Sequence, residues 1–234
     1  MPTQTRTTDL VTALRTTAST RAFTDRPVTR TELHRILEFA RFAPSGGNQQ
    51  PWRVVSVEDR ATRSALGTLI TETSREYVAL SAAGARPFGL TAAGRWPGPG
   101  EVDLAAARTD GPTVDAFATL SEAPALLAVL VRLASLAAMD AELDRHGLCG
   151  GASIYPFCWN VLLAARLEGL GGVLTTFAVR REPEVLALLG APEGWAVAAV
   201  LALGEPVHQP ERLRRDPVED FAVIDRFDGP SLRS

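Results

Sequence analysis

The sequence contains no lysine, because all 24 of its basic residues are arginine. This absence excludes Schiff-base catalysis, the phosphate-binding lysine of a P-loop and the tyrosine–lysine pair of many short-chain dehydrogenases. Any anion site must therefore be built from arginine, backbone N–H groups or hydroxyls.

Cysteine and histidine are also scarce. The two cysteines, Cys149 and Cys158, have neither CxxC nor metal-ligand spacing, and the three histidines have no ligand partner at suitable spacing. Neither a zinc site nor a disulfide framework is therefore indicated. The chain also lacks GxGxxG after a strand and a nucleophile elbow around Ser45, which argues against a Rossmann dinucleotide site and a serine hydrolase.

Excess positive charge and long apolar runs are absent as well. The net charge of −3 gives no basis for expecting a nucleic-acid partner. No apolar run reaches the length of a membrane span, and residues 1–9 are polar, so we expect a cytoplasmic, reduced protein without membrane association. With 234 residues and 46% hydrophobic content, the chain can form one globular domain over residues 1–234.

Helical and strand periodicities alternate along the chain, and the first three predicted helices open on the capping residues Asp9, Thr29 and Asp59. Helices are predicted at residues 9–17, 29–43, 59–80, 133–143, 154–167 and 183–189. Strands are predicted at residues 52–57, 126–131, 172–177 and 195–203. This pattern indicates an α+β fold, an α/β sandwich.

Two long segments have no clear pattern. Residues 83–112 are rich in glycine, proline and alanine around Trp96, and so long a loop is typical of a lid or of a disordered segment. We interpret residues 83–117 as a lid or insert. The polar, arginine-rich residues 205–234 form a C-terminal extension.

The loop at residues 43–52, with the sequence APSGGNQQPW, is explained by neither periodicity. Its prolines, glycines and small polar side chains favour a specific backbone path over burial, which predicts a ligand-binding loop. Nothing in the chain suggests a dedicated acid, base or nucleophile. Catalysis would therefore depend on a bound cofactor, such as a flavin.

Several motifs, taken in order, resemble the FMN-dependent nitroreductase family. They are STRAF at residues 19–23, the loop at 43–52, LLAARLEGLGG at 162–172 and the segment at 189–204. The resemblance covers most of the chain except residues 83–117. It implies an enzyme that transfers hydride from NADH or NADPH to FMN and on to nitroaromatic, quinone or related acceptors. It also implies that no side chain is catalytic, since N5 of FMN carries the chemistry.

The resemblance also implies an architecture and an assembly. The expected fold has a mixed sheet of four to five strands flanked by helices, in a domain-swapped homodimer. FMN would lie at the dimer interface, and the C-terminal extension at residues 205–234 would reach the partner subunit.

The resemblance places the cofactor at three groups of residues. Ser19 and Arg21 would hold the FMN phosphate, together with tail arginines. The loop at 43–52 would lie along the flavin, and the end of the third strand would face its ring. The implied cofactor-binding residues are Ser19, Arg21, Pro44, Ser45, Gly46, Asn48, Gln50, Leu174, Thr175, Thr176, Arg214 and Arg215.

One position departs from the family pattern, and alternatives stay open. Thr17 stands where the family usually has a basic residue, so the phosphate charge must be met elsewhere. Arg214 and Arg215 are equally consistent with a solvated charge cluster. Two other functions fit the same residues: a flavin enzyme that oxidises a biosynthetic intermediate with O2, and a flavin-binding protein without turnover.

Overall fold

Four strands form the centre of the fold in the computed structural model, which describes residues 8–233. The strands are β1 (Trp52–Ser56), β2 (Ala125–Arg132), β3 (Gly171–Thr175) and β4 (Trp195–Gly204), in the sheet order β1-β2-β4-β3. β2 and β4 are central and almost wholly buried, as continuous apolar runs predict. The α+β class and the four strands expected from the sequence are confirmed.

All three ladders are antiparallel, which corrects the mixed sheet that we expected. β2 and β3 run in the same direction, but β4 lies between them, so they form no parallel ladder. A parallel bridge does occur outside the named strands, between Ser19 and Gly172.

Helices cover both faces of the sheet. α2 and α6 pack on the face that carries Leu127 and Val129, whereas α3 packs on the face that carries Leu126 and Ala128. The helices within the described residues are α1 (Leu10–Thr16), α2 (Arg30–Ala40), α3 (Arg60–Ala82), α4 (Leu104–Asp110), α5 (Asp115–Ala118), α6 (Tyr155–Leu167) and α7 (Glu182–Leu188). None of these is both long and apolar enough to cross a membrane.

The predicted capping residues begin their helices as expected. Asp9 accepts the N–H of Thr12 over 2.9 Å, and Asp59 accepts the N–H of Thr62 over 2.8 Å. Thr29 and Glu32 form a complete capping box. Local sequence therefore fixes the start of α1, α2 and α3.

Two local predictions are wrong. Residues 133–143 form only a short 3₁₀ turn, Leu133–Ser135, instead of a helix. Conversely, the segment at 83–112 contains α4, whose N-cap Asp103 accepts the N–H groups of Ala105 and Ala106, each over 3.0 Å. A capping residue before an alanine-rich run was therefore the signal for a helix in this segment.

The sheet has two ends, which we name by the residues of β3. At the Thr175 end lie the start of β1, the end of β2 and the start of β4, since Trp52 pairs with Val131 and Arg132 pairs with Trp195. At the Gly171 end lie the start of β2 and the end of β4. The loop at 43–52 therefore enters the sheet at the Thr175 end.

Candidate active site

The segment after α1 runs past the Gly171 end of the sheet. Ser19 bridges to Gly172, whose carbonyl accepts the N–H of Thr20 over 2.9 Å. Thr20 is buried against Gly171, where an added Cβ atom would lie 2.7 Å from the Thr20 hydroxyl oxygen. Because side chains alternate along an extended segment, Ser19 and Arg21 point away from this contact and are exposed.

Arg21 makes weak contacts. Its guanidinium carbon lies 5.4 Å from the centroid of the Phe117 ring, and its Nη1 lies 3.4 Å from the Ser19 carbonyl oxygen. An exposed cation–π contact contributes only about 0.5–1 kcal/mol. The side chain therefore rests on the α5 side of the sheet and keeps most of its hydrogen-bond donors free for a ligand.

The C-terminal tail returns to the end of α1. Nε2 of Gln209 donates to the Thr16 carbonyl over 2.8 Å, which fixes the tail beside this helix. Three exposed arginines line the groove between helix and tail, namely Arg15, Arg212 and Arg215. Of the two tail arginines expected at the site, Arg215 lines this groove, whereas Arg214 is exposed outside it.

The loop at 43–52 has the constrained backbone that its composition predicts. Gly47, Asn48 and Gln50 have φ angles of 57°, 53° and 44°. This left-handed region costs a non-glycine residue of the order of 1–3 kcal/mol, so other contacts must hold it. Within the loop, the Ser45 hydroxyl oxygen accepts the N–H of Gln50 over 2.9 Å.

Ser153 holds the same loop from outside. The N–H of Gly46 donates to the Ser153 hydroxyl oxygen over 3.0 Å, and an added Cβ atom at Gly46 would lie 3.4 Å from that oxygen. Ser153 is only 4% exposed and ends the 3₁₀ turn Cys149–Ser153 that leads into α6. The sequence did not predict this contact, which joins residues 107 positions apart.

The two threonines at the end of β3 differ in burial. Thr175 is 4% exposed, and its hydroxyl oxygen accepts the N–H of Phe177 over 3.2 Å. Thr176 is exposed and Leu174 is half-buried. The hydrogen bond ends the strand at Thr175 rather than at residue 177, and the inward orientation expected of at least one threonine is confirmed.

The expected site residues fall into two groups at opposite edges of the sheet. The loop at 43–52 precedes β1 at one edge, whereas Ser19, Arg21 and Thr175 lie beside or on β3 at the other. With about 4.8 Å between neighbouring strands, the two edges are roughly 14 Å apart. A single protomer therefore does not bring the loop against β3.

A buried carboxylate links the insert to the segment after β3. The side chain of Glu76 on α3 is fully buried and accepts a hydrogen bond from Nε of Arg180 over 2.8 Å. Nε of Arg108, from α4, lies 2.7 Å from the other carboxylate oxygen. The guanidinium of Arg180 also lies 5.6 and 5.5 Å from the ring centroids of Phe88 and Trp96. Sequence reasoning missed Glu76, since its partners are distant in the chain.

Asp140 organises the segment between β2 and α6. It is 6% exposed, and one of its oxygens accepts from the N–H of Leu148 over 2.6 Å and from Nη1 of Arg145 over 2.9 Å. The backbone hydrogen bond and the arginine hold the pKa of the Asp140 carboxyl well below its usual range. These contacts favour a folded loop over the helix that we predicted here.

We expect Asp140→Asn to lower the melting temperature at pH 7, because the amide keeps an acceptor but loses the charge. Since the carboxyl pKa is lower in the folded state, its stabilisation is present above the unfolded-state pKa of about 3.9 and is lost as the pH falls below that value. Calorimetry at falling pH should show the two proteins converging in acid. A difference that does not change with pH would contradict this role of the charge.

The antiparallel sheet lies between helical layers. It has a constrained loop at one edge and the exposed residues Ser19 and Arg21 at the other. This arrangement is a nitroreductase-like fold. The model of the Nitroreductase family matches residues 14–205. The chain belongs to this family of oxidoreductases.

One curated relative is similar to the chain in sequence, and two solved structures share its fold. The chain is 32% identical over 194 residues to a 5,6-dimethylbenzimidazole synthase of Rhodospirillum rubrum, which covers 80% of this chain and 76% of the relative. A BluB-like flavoprotein from Clostridium difficile 630 superposes with a TM-score of 0.65 at 21% identity, covering 94% and 100% of the two chains. The NADPH:FMN oxidoreductase of Vibrio harveyi, in complex with NAD+, has a TM-score of 0.62 at 21% identity, covering 93% and 77%.

Proposed function

We propose that this protein is an FMN-dependent oxidoreductase that uses NADH or NADPH to reduce nitroaromatic, quinone or related acceptors. The observation that carries the proposal is the edge of the sheet at β3. Ser19 and Arg21 lie exposed at the Gly171 end of this strand, and Thr175 and Thr176 lie at its other end. The two residues proposed to bind the phosphate and a polar strand end thus share one edge.

The dimensions and donor groups of this edge fit FMN. At about 3.3 Å per residue, β3 is roughly 13 Å long, which suits an elongated ligand with a phosphate at one end and a ring at the other. Arginine and hydroxyl donors suit the phosphate, and a chain without lysine has no other cationic side chain of constant charge for it. Leu174, Thr175 and Thr176 would then lie beside the ring.

The protein's own groups have binding and positioning roles in this proposal. FMN, when bound, supplies the hydride-transfer chemistry between the nicotinamide and the acceptor. Ser19 and Arg21 would bind the phosphate, and Thr175 would keep the end of β3 in place through its bond to Phe177. Pro44, Ser45, Gly46, Asn48 and Gln50 would cover the ligand with a loop whose path Ser153 fixes.

We further propose that the functional unit is a homodimer, because the loop and the β3 edge are separated within one protomer. Five apolar side chains on the neighbouring helices α1 and α6 are between 41% and 62% exposed, namely Leu10, Val11, Leu14, Tyr155 and Trp159. Apolar surface of this extent suits a partner subunit, which the extension at 205–234 would also reach.

Anaerobic stopped-flow reduction of the FMN-reconstituted full chain tests the function. We expect NADH or NADPH to bleach the flavin absorbance quickly, and an added quinone or nitroaromatic to restore it. Bleaching by neither nicotinamide would rule out this proposal. Failure of the protein to take up FMN at all would exclude every flavin-based function.

A second candidate is a flavin enzyme that oxidises a biosynthetic intermediate with O2. The observation that favours it is the 32% identity over 194 residues to a 5,6-dimethylbenzimidazole synthase. In the same experiment, slow reduction by both nicotinamides together with rapid O2 consumption by the chemically reduced protein would support this candidate. Bound flavin that reacts with neither partner would indicate a binding protein without turnover.

We also propose that the segment at 83–117 is a lid that influences substrate choice. The guanidinium of Arg180 contacts the rings of Phe88 and Trp96 in this segment, and Arg180 follows the end of β3 by five residues. Trp96→Ala removes one of these contacts, worth about 1 kcal/mol, so trypsin should cleave at Arg95 about five times faster. Met139→Ala, at an 86% exposed side chain, is the control. Unchanged cleavage would show that Trp96 does not hold the lid.

A further inference from the structure

A polar cleft of about 700 Å³ lies between one face of α3 and the helix α4 of the insert. Five side chains with hydroxyl groups line it, namely Ser64, Thr68, Thr71, Thr109 and Ser121. The three of these on α3 recur at spacings of four and three residues, so they form one polar stripe along the helix. The cleft therefore suits a polar ligand that can exchange hydrogen bonds with hydroxyl groups.

Three arginines also line the cleft, and two of them are already paired. Nε of Arg108 lies 2.7 Å from a carboxylate oxygen of Glu76, and Arg181 pairs with Glu72, the carboxylate in the lining. The third arginine, Arg75, has no carboxylate within ion-pair distance among residues 8–233. The cleft thus contains one positive charge without a counter-charge.

The hydrogen bonds of Arg75 use one side of its guanidinium. Nη1 donates to the carbonyls of Arg108 and Thr109 at the end of α4 over 2.9 and 2.7 Å. Nε, which shares the other edge with Nη2, is buried and has no hydrogen-bond partner within the described residues 8–233. Buried donors are almost always paired, and an unpaired one lowers stability. A ligand group that enters the cleft would supply the missing acceptor.

The same edge of other arginines binds carboxylates in this chain. Arg35 contacts the carboxylate of Glu168 through Nε and Nη2 over 3.2 and 2.8 Å. Arg181 contacts Glu184 through the same two atoms over 3.0 and 2.6 Å. The two parallel N–H groups of this edge match a carboxylate in geometry as well as in charge. The unpaired edge of Arg75 therefore favours a carboxylate ligand.

We propose that the cleft between α3 and α4 binds a small hydroxylated organic acid, whose carboxylate pairs with the Nε–Nη2 edge of Arg75 and whose hydroxyl groups contact the polar stripe of α3. One carboxylate balances the one unpaired charge. Because Arg75 also holds the end of α4, the bound acid would fasten the insert at 83–117 to α3. The inference goes beyond the proposed function, since it does not depend on the binding of FMN.

Isothermal titration of the FMN-reconstituted full chain with D-gluconate and with D-glucitol tests the need for a carboxylate. Both compounds are six-carbon chains with several hydroxyl groups, but only gluconate is charged. We expect saturable binding of gluconate and at least about ten-fold weaker binding of glucitol, the factor for a hydrogen bond to a charged group. Equal affinities, or no binding of gluconate, would overturn the inference. Flavin absorbance of the same sample reports the proposed function separately, so a protein that keeps FMN but does not bind gluconate would overturn this inference alone.

Ala105→Trp and Ala106→Trp form a matched pair that locates the site. Both alanines are exposed on α4, and both donate their N–H groups to Asp103 over 3.0 Å, but Ala105 lines the cleft and Ala106 does not. We expect Ala105→Trp to weaken gluconate binding at least about ten-fold by filling the cleft, and Ala106→Trp to leave it unchanged. Equal effects of the two variants would overturn the inference.

Arg75→Lys tests the paired edge without removing the positive charge. Lysine lacks the two parallel N–H groups, so gluconate should bind about ten-fold more weakly to this variant. The melting temperature of each variant shows whether it has folded, and Ala105→Trp carries the test if Arg75→Lys has not. Unchanged gluconate affinity in a folded Arg75→Lys protein would exclude the proposed contact.

Discussion

We expect Glu76→Ala to lower the free energy of unfolding by about 3–5 kcal/mol, the cost of removing one partner from a buried ion pair. The carboxylate is fully buried, and it lies between Nε of Arg180 at 2.8 Å and Nε of Arg108 at 2.7 Å. Without it, the guanidinium groups of Arg108 and Arg180 lose the carboxylate that lies between them. Urea unfolding followed by circular dichroism measures the loss.

Glu58→Ala provides a control for this prediction. Glu58 pairs with Arg30 at the surface, where the two side chains are 46% and 85% exposed, so its removal should destabilise the protein far less than the removal of Glu76. A loss in Glu76→Ala as small as that in Glu58→Ala would show that water reaches the Glu76 site. Glu76 would then not be required to hold the insert at 83–117 against the segment after β3.

We expect Phe157→Ala to cost about 3–5 kcal/mol of stability and to disturb the loop at 43–52. Phe157 on α6 is 2% exposed, and its ring stacks on Trp52 with centroids 4.7 Å apart and an interplanar angle of 11°. Trp52 is the last residue of the loop, so the cavity left by the ring would loosen its attachment. Urea unfolding gives the first effect, and retention of bound FMN on gel filtration gives the second.

The matched control is Phe39→Ala, at a phenylalanine on α2 that is 55% exposed. It should change the free energy of unfolding by less than about 0.5 kcal/mol in the monomeric chain. A Phe157→Ala protein that is much less stable but retains FMN as well as the wild type would show that the stack supports the core alone. Its role in positioning the loop would then be excluded.

Much of the fold could be predicted because local signals agree with tertiary packing. The capping box at Thr29 and Glu32 begins α2, and the buried runs in β2 and β4 become the central strands. Such features depend on neighbouring residues, which a sequence shows directly. Strand direction depends on which strands become neighbours, and the insertion of β4 between β2 and β3 has no local signal.

The candidate site was predicted less completely, because several of its contacts join distant residues. The loop at 43–52 was recognised by its composition, but the bond from Gly46 to Ser153 spans 107 positions. Arg15 stands on a predicted helix, and only the return of the tail through Gln209 brings it beside Arg212 and Arg215. Residues that act through tertiary neighbours leave no pattern in a single sequence.

The loop at 43–52 and β3 lie at opposite edges of the sheet, so in the proposed dimer neither protomer would complete a cofactor site alone. Each protomer would contribute half of two cofactor sites, so flavin content would report on subunit association. Dilution that separates the subunits would release the cofactor without unfolding either chain. Bound FMN would in turn stabilise the assembly, and the expression level of the protein would help to set its cofactor occupancy.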